Sequence, residues 1–152
     1  MKYIISFLSI FFFFACSKDD SAGSRTFIPD DLTVLSLTSI RGETVNAPAG
    51  DAGSPTSVNI IYIQGTVDSQ SGLELTGLKV RVRVLGDNGT PLGISEDICT
   101  PAEIAPGGSC TFSTSVVLEG ADYKTSQSIE ITPGCDQGNG TLRLIPVTWP
   151  NS

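Results

Sequence analysis

Four cysteines, three evenly spaced cations and a few carboxylates are the residues able to do chemistry in this 152-residue chain, and no histidine accompanies them. The commonest general base and metal ligand is therefore missing, and with it the Ser-His and Cys-His pairs of nucleophilic catalysis. Cys99, Cys110 and Cys135 lack the paired spacing of a zinc site, so no metal is expected on them. Glu96, Asp97 and Glu103 could be read as the carboxyl pair of a glycosidase, but that reaction needs a fixed separation inside a cleft. Short hairpins build few clefts, so these acids read as solvating charges. The segment Asp136-Gln137-Gly138-Asn139-Gly140 is shaped like a calcium loop, yet Gly138 stands where a ligand belongs and no Glu closes it; it reads as a turn. Tyr62, Tyr123 and Trp149 are too scattered for an aromatic sugar platform, and no P-loop, nucleophile elbow or dinucleotide fingerprint occurs. Neither a catalytic residue nor a cofactor is expected.

The cations and thiols carry more. Lys79, Arg81 and Arg83 alternate with valines and would form a basic stripe about 14 Å long on one strand face. Such a stripe can receive an anionic glycan or a partner's carboxylates, and it can equally be paired across strands with Asp or Glu. Nucleic acid is excluded as a partner by the overall balance, 9 basic against 16 acidic residues and a net charge of −7. Three thiols allow three single disulfides with one cysteine left over. Cys99 and Cys110 flank one short turn between strands expected to be adjacent, which favours Cys99–Cys110. The odd Cys135 is then expected in the core, as a small apolar side chain.

The fourth cysteine decides the compartment. Lys2 precedes an apolar run from Ile4 to Ala15, and Cys16 follows directly. Twelve helical residues span about 18 Å, too short for a bilayer core of roughly 30 Å, so residues 1–15 read as a signal peptide. The sequence Phe13-Phe14-Ala15-Cys16 resembles a bacterial lipobox, with Phe rather than Leu at the first position. That resemblance implies a diacylglycerol on the Cys16 thiol. Ser17, Lys18, Asp19 and Asp20 resemble the surface-export signal of Bacteroidota lipoproteins, a Lys followed by acids, and imply an outer-membrane lipoprotein facing the medium. Asp20-Ser21-Ala22 matches a short O-glycosylation motif of the same phylum. Without Lys2 the mature chain carries one more net negative charge and repels anionic lipid, so the acyl chains would hold the membrane.

The elements that must position these residues are strands. Residues 16–30 are rich in Ser, Asp and Gly and are expected to be a tether; residues 31–152 are expected to fold as one domain. Strands are expected over 32–40, 58–67, 78–85, 91–98, 110–118, 128–131 and 141–148. Gly42 to Thr56 would be a long loop and 68–72 a turn. Leu78, Val80, Val82 and Val84 share one face against Lys79, Arg81 and Arg83, the period of a half-buried strand, and Asp87-Asn88-Gly89 supplies a turn after it. Seven short strands indicate an all-β, immunoglobulin-like two-sheet antiparallel sandwich.

Gly65-Thr66-Val67, Ser71-Gly72, Val80 to Asp87 with Asn88-Gly89, and Ile104-Ala105-Pro106-Gly107 with Phe112 resemble the FxLYD-type domain over about residues 58–118. Cys99-Thr100 followed by Ala105-Pro106-Gly107-Gly108-Ser109-Cys110 resembles a hairpin of bacterial extracellular Ig-like domains. Both resemblances imply an Ig-like sandwich, and the second also implies a Cys99–Cys110 pairing. The functional expectation is a surface-exposed lipoprotein acting as a non-catalytic binding or assembly module, with envelope proteins or surface glycans as partners. The alternative is an accessory subunit of a larger envelope complex, with no ligand of its own.

Overall fold

The computed structural model describes residues 26–46, 57–118 and 120–150. The signal peptide, Cys16, the Ser17–Asp20 segment, Ser21 and residues 47–56 lie outside the described residues. Among those described, eight strands form two antiparallel sheets. The first sheet has the order β1 (Leu32–Asn46), β2 (Ser57–Ser69), β5 (Ser109–Leu118). The second runs β4 (Pro91–Ile98), β3 (Lys79–Leu85), β6 (Ser128–Cys135), with both β7 (Gly138–Asn139) and β8 (Arg143–Pro146) on the far side of β6. Three strands facing a larger sheet in this order make an immunoglobulin-like β-sandwich.

Alternating side chains build the core. Val80, Val82 and Val84 of β3 and Ile129 and Ile131 of β6 are fully buried against Ile61, Ile63 and Val67 of β2 and Phe112, Val116 and Leu118 of β5. β2 lies in the middle of its sheet, paired along one edge with β1 and along the other with β5; Ile61, Ile63 and Val67 on its inward face are buried, and Ile60 and Tyr62 on the other face are half-buried. Asn88 and Gly89 take positive φ (56° and 74°) in the turn that leads from β3 to β4.

Several boundaries differ from the sequence expectation. Gly42–Asn46 is not loop but the end of β1, paired with Ser57–Ile61. Asp68 and Ser69 complete β2 rather than a turn. The domain begins before residue 31: Phe27 packs against the core, and Asp30 accepts a hydrogen bond from the Thr141 hydroxyl at 2.8 Å. The last strand, expected over 141–148, is shortened to β8, and the 136–140 segment read as a turn also contributes the two-residue β7. Between them the chain turns aside to β1, where the Thr141 N–H donates to the Leu32 carbonyl at 3.0 Å and Arg143 Nη1 to the Val34 carbonyl at 2.9 Å. Gly140 makes that approach possible, because a Cβ there would sit 2.1 Å from the Leu32 oxygen.

Candidate functional site

Two places gather the residues singled out by sequence. The first is a seam between the sheets. β4 is an edge strand, but it leans onto β5 of the other sheet. A Cβ on Gly93 would lie 2.5 Å from the Val117 carbonyl, so only glycine permits the contact. Further along, Ser95 Oγ and the buried Thr114 Oγ1 share a hydrogen bond of 2.9 Å. Cys99 and Cys110 follow, and Thr100 and Thr111 then exchange both backbone hydrogen bonds, at 2.7 and 2.9 Å. Cys99 and Cys110 therefore do not flank a hairpin within one sheet; they stand where the chain crosses from the second sheet to the first. The expectation of adjacent paired strands fails because β4 pairs with β3 and β5 with β2.

Both thiols are buried, lie 3.0 Å apart and are not bonded to each other. The hydrogen bond between them raises the Cys99 pKa, with burial adding to the effect, and lowers that of Cys110. Cys135 is also a free, buried thiol, and its Sγ donates to the Gly138 carbonyl at 3.4 Å across the β6–β7 turn.

The second place is the outer face of the five-stranded sheet. Lys79, Arg81 and Arg83 do form one stripe there, and carboxylates meet them. Glu96 on β4 takes Lys79 Nζ on one oxygen at 3.0 Å and Arg81 on the other at 3.0 Å; Arg83 Nη1 binds Glu130 of β6 at 2.8 Å. The hydrogen bonds from Lys79 and then Arg81 hold the Glu96 carboxyl below the usual carboxylate range. Three cations against two carboxylates leave this face with an excess positive charge on an acidic chain.

Apolar side chains flank the charges. The register aligns Ile94, Arg83, Glu130 and Leu144 across four strands, and Ile98, Lys79, Gly134 and Asn139 in a second row. Ile94, Ile98 and Leu144 are 61%, 68% and 58% exposed. Between the two rows lies a shallow hollow lined by Lys79, Arg81, Glu96, Thr132 and Asn139, open where Gly134 has no side chain. Sequence reading missed Ile94, Ile98, Leu144 and Glu130 as parts of this face. The alternation of Ile94, Glu96 and Ile98 was a usable signal; the cross-strand register was not.

The remaining acids and aromatics are placed as follows. Asp97 accepts from the Ile98 N–H beside it, and Glu103 is exposed in the loop after Cys99. Among the described residues no three His, Cys, Asp or Glu side chains come together as metal ligands. Asp136 accepts from Thr76 Oγ1 at 2.7 Å. The aromatic residues are less scattered than their sequence positions suggest. Tyr123 and Trp149 pack edge to face at 5.1 Å, Trp149 Nε1 donates to Ser126 Oγ, and Arg41 lies 4.8 Å above the Tyr62 ring.

No family model, curated protein or solved structure matches this chain.

Proposed function

We propose that this chain is a lipid-anchored β-sandwich that works at the outer-membrane surface as a binding or assembly module. The observation that carries the binding role is the outer face of the five-stranded sheet. It combines arginines and lysine with exposed isoleucine and leucine in register, a composition closer to an interface core and rim than to an ordinary solvated sheet. Its excess positive charge suits a partner presenting carboxylates, whether an acidic envelope protein or an anionic glycan, because a carboxylate can share the guanidinium donors already oriented by Glu96 and Glu130. The sequence supports the anchor through Ala15-Cys16 at the end of the apolar leader and Ser17–Asp20 after it. The partial likeness to FxLYD-type domains belongs to the same reading.

In that oxidising compartment Cys99 and Cys110 close a disulfide across the two sheets. While the chain is folding and the pair is still accessible, the Cys110 thiolate attacks the disulfide of an exported thiol oxidase, forming a mixed disulfide and releasing one oxidase thiol. Cys99, deprotonated, then attacks the Cys110 sulfur and releases the second. The chain loses two electrons and two protons, and the oxidase disulfide is reduced.

The experiment has two arms. Cells fed a labelled fatty acid should label the wild type and not Cys16→Ser, and external protease should reach the wild-type domain in intact cells. Capture of anionic glycans or envelope proteins should then fall on Arg81→Glu and on Ile94→Asp, with the fold intact by circular dichroism. An unlabelled wild type removes the anchor; capture indifferent to both substitutions removes the binding face.

A further inference from the structure

We infer that two copies of this chain pair edge to edge through β1, antiparallel, about a two-fold axis at Gly42. This pairing stands apart from the membrane reading and requires no ligand.

β1 is an edge strand of 15 residues, far longer than proteins ordinarily leave open. Its first part is closed by the chain itself: the Leu32 carbonyl accepts from Thr141, and the Val34 and Leu35 carbonyls from Arg143. Register shifts between Val34 and Ser36 and between Leu37 and Ser39 then kink it, a common guard against strand addition. From Ser39 to Asn46 both guards end. The pairing with β2 runs unbroken from Ser39↔Gln64 to Asn46↔Ser57, and among the described residues no hydrogen bond reaches the outer edge beyond Leu35. Alternate residues of this stretch aim both N–H and C=O away from β2. The other edge of the same sheet, β5, is overlaid by β4 through Gly93, Ser95 and Thr100.

Charge selects the occupant. The stretch carries one cation and one anion, Arg41 and Glu43, on the same outward face, where they pair with each other at 3.6 Å within the chain with side chains 65% and 47% exposed and so can be shared with a second copy. In an antiparallel pair of identical strands the contact is self-complementary, and the possible registers move the axis from one residue to the next. An axis at Arg41 sets Arg41 against its own copy, and an axis at Glu43 does the same with Glu43; like charges directly opposite are unfavourable. With the axis at Gly42, Arg41 faces Glu43 of the second copy and Glu43 faces Arg41 of the second copy. Ile40 then meets Thr44, and Ser39 meets Val45. That register also centres the contact on the regular stretch, and the two three-stranded sheets become one of six strands. A partner strand of unrelated sequence would have no reason to match an alternation that matches itself.

The full chain, extracted in detergent, tests this by sedimentation across a concentration series. The wild type should dimerise. Glu43→Arg places two Arg–Arg oppositions in the contact and should weaken the dimer about tenfold, with an unchanged thermal melt. Arg41→Glu combined with Glu43→Arg restores opposite charges and should restore the dimer. Under oxidation, Ser39→Cys with Val45→Cys should cross-link two chains, and Ser39→Cys alone should not. A monomer at every concentration, a dimer indifferent to Glu43→Arg, or protection from exchange, in a monomer, of those amides of 39–46 that point away from β2 would each overturn the proposal.

Discussion

Linking Cys99 to Cys110 ties the two sheets at the end of the β4–β5 seam, and the stability it adds can be worked out. The bond closes a loop of about a dozen residues, for which the chain-entropy relation gives about 3 kcal/mol. Native strain should subtract little, since Thr100 and Thr111 next to the thiols already hold the crossing with two backbone hydrogen bonds. The perturbation is reduction of the oxidised protein, or replacement of both residues by alanine. Urea unfolding of the oxidised and reduced forms should differ by about 1–2 M in midpoint, with thiols counted by mass at each end of the experiment. Because both sulfurs are buried, reduction of the folded protein should be slow and should speed up in urea. Cys135→Ala should leave the oxidised–reduced difference intact, because Cys135 sits on β6 and bonds to Gly138. Exported protein with both thiols free, or superimposable unfolding curves, would refute the reasoning.

Two further outcomes follow from single contacts. Gly140→Ala puts a Cβ within 2.1 Å of the Leu32 carbonyl oxygen, which must displace the β7–β8 connection from β1 and break the Thr141–Leu32 hydrogen bond. It should cost about 2–4 kcal/mol in urea unfolding, against about 1 kcal/mol for Gly89→Ala, where positive φ is the only demand; equal costs would show that the closure of β1 is not under strain. Lys79 and Arg81 lower the Glu96 pKa, so the stabilisation from this cluster is fully present above the usual carboxylate range. It is lost as pH falls through the lowered value. A carboxyl titration of Glu96 by NMR should show its midpoint rising toward the ordinary range in Lys79→Gln/Arg81→Gln, and an unmoved midpoint would assign the shift elsewhere.

Most strands were legible because one face of each is buried and the other wet. Leu78 to Leu85 and Cys110 to Leu118 alternate so regularly that both strand and inward face could be read from them, and Leu78, Val80, Val82, Cys110, Phe112 and Val116 are all buried. β1 was legible only to Ile40, because beyond that point its alternation disappears. The stretch from Arg41 to Asn46 is largely exposed on both faces. With little burial there was no apolar pattern to extend, and the Pro- and Gly-rich segment that follows drew the loop boundary too early.

The seam shows a different limit. Alternation says which way a side chain points but carries nothing about which strand lies beside it, and the turn-like residues around Pro106 and Gly107 fit a hairpin as well as a sheet crossing. The distinction rests on Gly93 and Thr114. A glycine inside an edge strand and a threonine on the buried face of β5 each look like a defect in an apolar pattern. Together they mark where one strand must come close to another's backbone and hydroxyl, since the Gly93 position has no room for a side chain and Thr114 finds its partner in Ser95. A small residue and a buried hydroxyl on successive strands therefore signal a crossing between sheets, and the two cysteines lie at its end because that is where the backbones converge.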